Sequence, residues 1–290
     1  MTQPAVSRQI AGVERKTGVR LFTRAARGVR PTAAGEAAVA LARECLARLQ
    51  ELESRLASFA DLTSGELRLA GFPSVNTVLV PEAIRRFASS YPGVSFSLLA
   101  APPEPLVAVR DGQVDLALVT DWHLYSDPQA ARSPERDTEA PRIAVEGVDL
   151  VELLHEQLYV AVPAGHPLAR RRRIHLTDLR NETWIDGAHP DCLGPLAPLT
   201  RALGSEPNVG FWCHDWNGKQ ALVAAGAGIV LVPTLAQPAM RRDTVVRRTV
   251  PALPPRILYA AVAPAHLRAP AVTAMLGILA DLIAATSQPP

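Results

Sequence analysis

The chain has 290 residues, 48% hydrophobic and 20% charged, which excludes a disordered polymer and leaves room for two or three compact domains. Its formal net charge of +2 hides an uneven distribution, because residues 1–35 carry seven cations against the single carboxylate of Glu14. A basic head on a mildly acidic body fits a polyanion partner or a solvated arginine-rich surface, and charge alone does not choose between them. Three cysteines (Cys45, Cys192 and Cys213) are too few for a disulfide framework in a chain this long. With no signal pattern and no apolar run of about 18 residues, a cytoplasmic protein without a membrane span is expected.

Residues 2–17 read as one helix. Thr2 caps it, Pro4 sits in the first turn where its missing N–H costs nothing, and Gly18 ends it. Val6, Ile10 and Val13 form an apolar stripe. Residues 19–31 then read as a hairpin turning at 25–28. Thr32 opens a second helix, with Glu36 near its first turn, that runs to about residue 62. Leu41, Cys45, Leu49, Leu52, Leu56 and Phe59 step by threes and fours like a coiled-coil seam. A helix of about 30 residues spans roughly 45 Å. A rod with one apolar seam calls for a partner helix, most simply a second copy, or for its own domain to pack against.

After Thr63-Ser64-Gly65 the pattern changes. Strands are expected at 67–71, 94–98 and 114–119, with helices at 76–90 and 105–112 between them, which is the alternation of a parallel α/β sheet. Residues 126–147 read as a polar surface insertion. Further strands are expected at 158–162, 183–186, 209–212, 229–233 and 258–262. Helices are expected at 196–203, 217–225 and 271–285. No internal repeat is evident.

Several of these segments, in this order, resemble the LysR-type transcriptional regulators. The head resembles them through Gln3-Pro4-Ala5-Val6-Ser7-Arg8-Gln9-Ile10, Gly18-Val19-Arg20-Leu21-Phe22 and Arg27-Gly28-Val29-Arg30-Pro31-Thr32. The body does so through Gly65-Glu66-Leu67-Arg68-Leu69, Pro81 with Phe87 and Tyr91-Pro92, and Gly112-Gln113-Val114-Asp115-Leu116-Ala117-Leu118. Gly165-His166-Pro167-Leu168 and Ala225-Gly226-Ala227-Gly228-Ile229 with Val232-Pro233 follow. The likeness covers essentially the whole chain. It implies an α/β protein with a partial winged helix-turn-helix at 1–32, a linker and dimerisation helix at 33–63, and an effector-binding domain at 64–290. That domain has two lobes and resembles type-2 periplasmic binding proteins. Lobe one is expected at 66–162 and 264–285 and lobe two at 163–263, with crossings near Val162-Pro163 and Ala263-Pro264. Against the family pattern, this sequence omits the first helix and all but the end of the second, so a poorly supported head and weak operator binding are expected.

The resemblance implies double-stranded operator DNA and a small-molecule effector as partners, in a homodimer that can assemble further into a tetramer. In a recognition helix, Gln3 suits adenine, Arg8 guanine, Ser7 a base or phosphate, and Pro4 a thymine methyl. Arg24, Arg27 and Arg30 on the hairpin suit phosphates or the minor groove. For the effector, Gly71-Phe72-Pro73-Ser74-Val75-Asn76-Thr77 joins a strand to a helix and offers free amides and hydroxyls. Ser74, Asn76 and Thr77 are candidates there, with Thr120 and Trp122 at the end of the next strand. Asp186, and Trp216 within Asp215-Trp216-Asn217, face them from the second lobe. Two tryptophans with carboxylates point to an aromatic or partly cationic ligand.

Enzymatic readings fare poorly. There is no G-x-S-x-G elbow and no Walker loop, and the Gly226-Ala227-Gly228 turn follows a helix instead of a strand. His189, Asp191 and Cys192 with Cys213 and His214 match no common zinc spacing. No cofactor and no metal are expected. The alternative function is a solute-sensing module that has lost DNA binding.

Overall fold

In a computed structural model of the chain, the structure describes residues 3–25, 28–42, 45, 56, 62–100, 102–124, 145–187, 193–194 and 196–286. Two compact units emerge, Met1–Ala57 and Ser58–Pro290.

In the first unit, α1 spans Gln3–Thr17. Gly18 takes φ +71° and its N–H donates to the Glu14 carbonyl at 2.8 Å, closing the helix as the sequence predicts. The Glu14 side chain makes a second link. Its Oε1 accepts from the N–H groups of Leu21 at 2.7 Å and Phe22 at 3.1 Å, tying the helix to the hairpin entry. Strands β1 (Phe22–Ala25) and β2 (Gly28–Pro31) pair antiparallel. Thr32 then caps α2, helical over 33–42. Its Oγ1 accepts from the Gly35 N–H at 3.0 Å and donates to the Arg20 carbonyl at 2.8 Å. Gly35 has no alternative at this spot, since a Cβ would stand 1.9 Å from the Leu21 carbonyl oxygen. On α1, Val6 and Val13 are exposed and Ile10 is half-buried.

The second unit holds two sheets. The larger runs β4-β3-β5-β13-β6 and comprises β3 (Gly65–Gly71), β4 (Val94–Ala100), β5 (Leu116–Thr120), β6 (Asp149–Glu156) and β13 (Arg256–Val262). β3, β4 and β5 are parallel, and β13 runs antiparallel to both β5 and β6. Helices α4 (Leu79–Ser90) and α8 (Pro270–Thr286) supply Val80, Phe87, Met275 and Leu279 to one core with Leu67, Leu69 and Leu118. α5 (Pro105–Arg110) supplies Leu106 and Val109 to another, against Ala70, Val119 and Tyr259. A sheet covered on both faces needs uninterrupted apolar strands, and β5 is buried at all five positions.

The smaller sheet runs β11-β7-β12-β8, with β7 at Leu158–Pro163, β8 at Arg173–His175, β11 at Val230–Pro233 and β12 at Thr244–Val250. β9 (Thr183–Asp186) and β10 (Asn208–Trp212) form a parallel pair, bridged to this sheet by Trp184 and Ile229. α6 (Leu196–Leu203) and α7 (Trp216–Ala224) pack beside them.

Strand pairing corrects the expected lobe limits. β7 belongs to the smaller sheet and β13 to the larger, so the chain crosses at Gln157 and returns over 251–255. The crossings are therefore not near Val162-Pro163 and Ala263-Pro264. The sequence places the end of the larger lobe on the strand at 158–162, but β6 precedes that strand and completes the sheet edge. β6, β8 and β12 were not anticipated. β6 is half-exposed, β8 has three residues, and β12 carries Arg247 and Arg248 in its middle. The helix expected at 76–90 is two, α3 (Pro73–Thr77) and α4, broken at Val78. Restarting at Leu79 puts Pro81 in a first turn, where no N–H is needed. Most of the expected insertion at 126–147 lies outside the described residues.

Candidate functional site

α1 presents Ser7 and Arg8 on an exposed surface, with Gln3 and Pro4 one turn earlier at i−4 spacing. Arg30 is exposed on β2, Arg24 lies on β1, and Arg27 falls outside the described residues. Of the seam, Leu41, Cys45 and Leu56 are helical and exposed, while Leu49, Leu52 and Phe59 lie outside the described residues.

Within the second unit a cavity of about 430 Å³ opens between the two sheets. Pro73, Asn76, Thr77 and Ala100 line it from the larger sheet, and His214, Asp215, Trp216 and Asn217 from the smaller. The size suits one small molecule. Both walls are built at helix starts. On one side α3 begins directly after β3. On the other, Asp215 Oδ2 accepts from the Gly218 N–H at 2.5 Å and caps α7. The Asn76 Nδ2 donates to the Gly71 carbonyl at 2.8 Å, and Thr77 Oγ1 to the Ser74 carbonyl at 2.7 Å. Asn76 Oδ1 and the Trp216 indole N–H are buried without a hydrogen-bond partner. A buried orphan acceptor or donor costs about 1–3 kcal/mol, and both of these atoms are enclosed behind the cavity wall.

Of the sequence candidates, Asn76, Thr77 and Trp216 reach this cavity, as do Asp215 and Asn217 beside Trp216. The other four stand behind its walls. Thr120 is fully buried, its N–H and hydroxyl both engaged with His123 Nδ1 at 2.8 and 3.0 Å. Asp186 Oδ1 accepts from the N–H groups of Gly187 and Leu193 at 2.7 and 2.9 Å. Trp122 is 5% exposed and packs in the core of the smaller sheet against Gly194, where a Cβ would stand 2.6 Å from its ring. Ser74 is buried, 3.5 Å from Arg256 Nη2. Ala100 and His214 line the cavity without having been singled out as effector contacts. His189, Asp191 and Cys192 lie outside the described residues.

Behind the cavity stands a pair that sequence reading missed. Arg256 Nε and Nη2 donate to Glu156 Oε2 at 3.0 and 2.5 Å, with the side chains 2% and 0% exposed. Glu156 Oε1 accepts from the Leu235 N–H at 3.1 Å, just after β11 of the other sheet. The Arg256 guanidinium lies 5.1 Å from the Phe72 ring centroid and 5.3 Å from that of Trp122. Glu156 ends the strand before the first crossing and Arg256 opens the strand after the second. The pair thus clips the two crossing segments together. Nothing in the sequence marks it, because the partners are 100 positions apart.

A basic helix and hairpin, followed by two α/β lobes around a small-molecule cavity, define the class of ligand-responsive DNA-binding proteins. The LysR substrate binding domain matches residues 60–284, and the bacterial regulatory helix-turn-helix protein, lysR family, matches residues 1–36. The chain belongs to the LysR family of DNA-binding transcriptional regulators. It is 34% identical over 253 residues to the HTH-type transcriptional regulator TfdS of Cupriavidus pinatubonensis (strain JMP 134 / LMG 1197), covering 84% of this chain and 77% of that one. Among solved structures it resembles the Corynebacterium glutamicum OxyR C206 mutant (TM-score 0.70, 22% identity, 100% of this chain and 88% of that one). It also resembles full-length CbnR complexed with its target DNA (TM-score 0.62, 22% identity, 96% and 90%). These relatives are transcriptional regulators, not enzymes. Among the described residues, no helix is long and apolar enough to cross a membrane.

Proposed function

We propose that this chain reads an operator through α1 and the hairpin, and that a small molecule in the cleft between the lobes changes that reading. Gln3, Pro4, Ser7 and Arg8 meet base edges and nearby phosphates, while Arg24, Arg27 and Arg30 add backbone affinity. Residues 1–32 form the DNA-binding segment, 33–63 the helix that pairs two copies, and 64–290 the effector domain. The lobes divide at Gln157 and 251–255. Asn76, Thr77 and Trp216 contact the effector, whereas Ser74, Thr120, Trp122 and Asp186 hold the walls. The chain acts in the cytoplasm as a regulator rather than an enzyme.

One observation carries the cleft assignment: a cavity of ligand size bears residues from both sheets. CbnR, solved with its target DNA, supports the assignment of the head. A footprint of the full chain on the DNA flanking its own gene tests the reading. A protected site that weakens about 10-fold or more with Arg8→Ala, in line with the loss of one bidentate base contact, supports it. Uniform weak binding of all sequences, unchanged by that substitution, contradicts it and favours the solute-sensing alternative.

A further inference from the structure

A second cavity, of about 450 Å³, lies wholly within the smaller-sheet lobe, away from the cleft. Five arginines line it and none of the lining residues is acidic. They come from two stretches far apart in sequence. Arg170, Arg171 and Arg172 leave the turn at Pro167–Arg170 and lead into β8, while Arg247 and Arg248 lie in the middle of β12. Register brings the stretches together, since β12 pairs parallel with β8 and Arg248 faces Arg173.

The arrangement is braced. Arg247 donates through Nε to the Arg171 carbonyl at 2.7 Å, through Nη2 to the Ala169 carbonyl at 2.7 Å, and through Nη1 to the Val246 carbonyl at 2.9 Å. Its guanidinium therefore fixes the backbone from which the arginine run projects. Arg248 lies 5.9 Å from the centroid of the Tyr159 ring, which holds it over one wall. Arg171 is neutralised by Asp178 at 2.5 Å. Among the described residues, Arg170, Arg172 and Arg248 have no carboxylate partner. Like charges gathered around one concavity repel one another unless an anion fills it.

We propose that this cavity binds a small multiply charged phosphate anion, an oligophosphate or the oligophosphate moiety of a nucleotide. Guanidinium groups match phosphate oxygens in fork geometry, and three unneutralised ones suit a charge greater than that of one carboxylate. Arg170, Arg172 and Arg248 are exposed around one open concavity, and their convergence on it, instead of alignment along a stripe, favours a small anion over a nucleic-acid backbone.

The test is calorimetric titration of the full chain with inorganic pyrophosphate, against sodium chloride of equal ionic strength. One saturable site is expected, weakened at least 10-fold in Arg170→Ala/Arg172→Ala and unchanged in Arg85→Ala, which removes an exposed arginine of the other lobe. Pyrophosphate should raise the Tm of the wild type and not that of the double variant, whose own Tm without anion should equal or exceed the wild type's. Arg248→Ala, on a different strand, reads the same site should the double variant fail to fold. A parallel titration with ATP separates sources: tighter binding than pyrophosphate assigns a nucleotide, and equal binding a free oligophosphate. No saturable binding, or binding unaffected by the arginine substitutions, overturns the proposal. Random-sequence duplex DNA whose binding falls in the double variant while pyrophosphate fails to bind overturns it as well.

Discussion

The rim of the cleft and the pair behind it are both polar, yet they are built for opposite purposes. Glu156 and Arg256 are enclosed, hydrogen-bonded to each other and roofed by two aromatic rings. Asn76 and Trp216 line the wall of an open cavity, the first half-buried and the second buried. The first arrangement is complete in itself and fixes the crossing between lobes. The second shapes an opening of ligand size. Polar residues at a domain junction therefore divide by placement: an enclosed charged pair holds the geometry, and residues lining the opening are placed to meet a ligand.

The comparison breaks most visibly at the buried pair. Arg256→Leu leaves the Glu156 carboxylate enclosed without its cation and should destabilise the effector domain by about 3–5 kcal/mol, read by urea unfolding. Glu156→Leu with Arg256→Met should recover most of that loss, since removing both charges removes the desolvation cost. A single substitution as mild as the double one would mean that the pair does not govern the junction. Next comes Gly194→Ala. Gly194 holds φ +73°, and its Cβ would strike the Trp122 ring, so a loss of roughly 1–3 kcal/mol is expected.

At the rim the expected effects on stability are smaller and the effects on binding larger. Asn76→Ala loses the bond to the Gly71 carbonyl but also removes the orphan oxygen, so a net change of about 1 kcal/mol or less is expected. Trp216→Phe removes an unpartnered N–H but leaves a small void in a buried cluster, so a loss of about 1–2 kcal/mol is expected together with weaker binding of any cleft ligand. A rim variant that unfolds the domain would erase the distinction between rim and pair.

The smallest effect comes from an exposed ion pair, the counterpart of Glu156 and Arg256. Hydrogen bonds from Arg85 and then Arg86 hold the Glu82 carboxyl down from 4.5 to about 2. A depressed folded pKa gives stability that is present above the unfolded value and lost as pH falls from about 4.5 towards 2. Glu82→Gln should flatten that part of the acid-stability curve slightly, because surface pairs are screened by water and salt.

How much could be read from the residues alone follows the same division. The helix of 3–17, its Gly18 stop and the Thr32 cap are local devices, and local chemistry specifies them. β5 is legible because burial on both faces demands an unbroken apolar run. β12 is not, because its two central arginines belong to a cavity wall and obscure the apolar pattern. The expected lobe boundary falls one strand late for a related reason: β6 is a half-exposed edge strand with weak alternation, so β7 stands in its place as the last strand before the crossing. Asn76, Thr77 and Trp216 could be named because they follow strand or cap signals at the mouths of the sheets. Thr120, Trp122 and Asp186 carry the same signals, and whether such a side chain faces a cavity or a core depends on packing that sequence does not display.

The most direct test of the account is an anisotropy titration of a fluorescent operator duplex, with and without a compound selected for raising the wild-type Tm. The wild type should shift its half-saturation point at least 3-fold when the compound is present, and Asn76→Ala should bind the duplex normally but show no shift. An equal shift in both proteins would place the effector outside the cleft between the lobes and contradict the account.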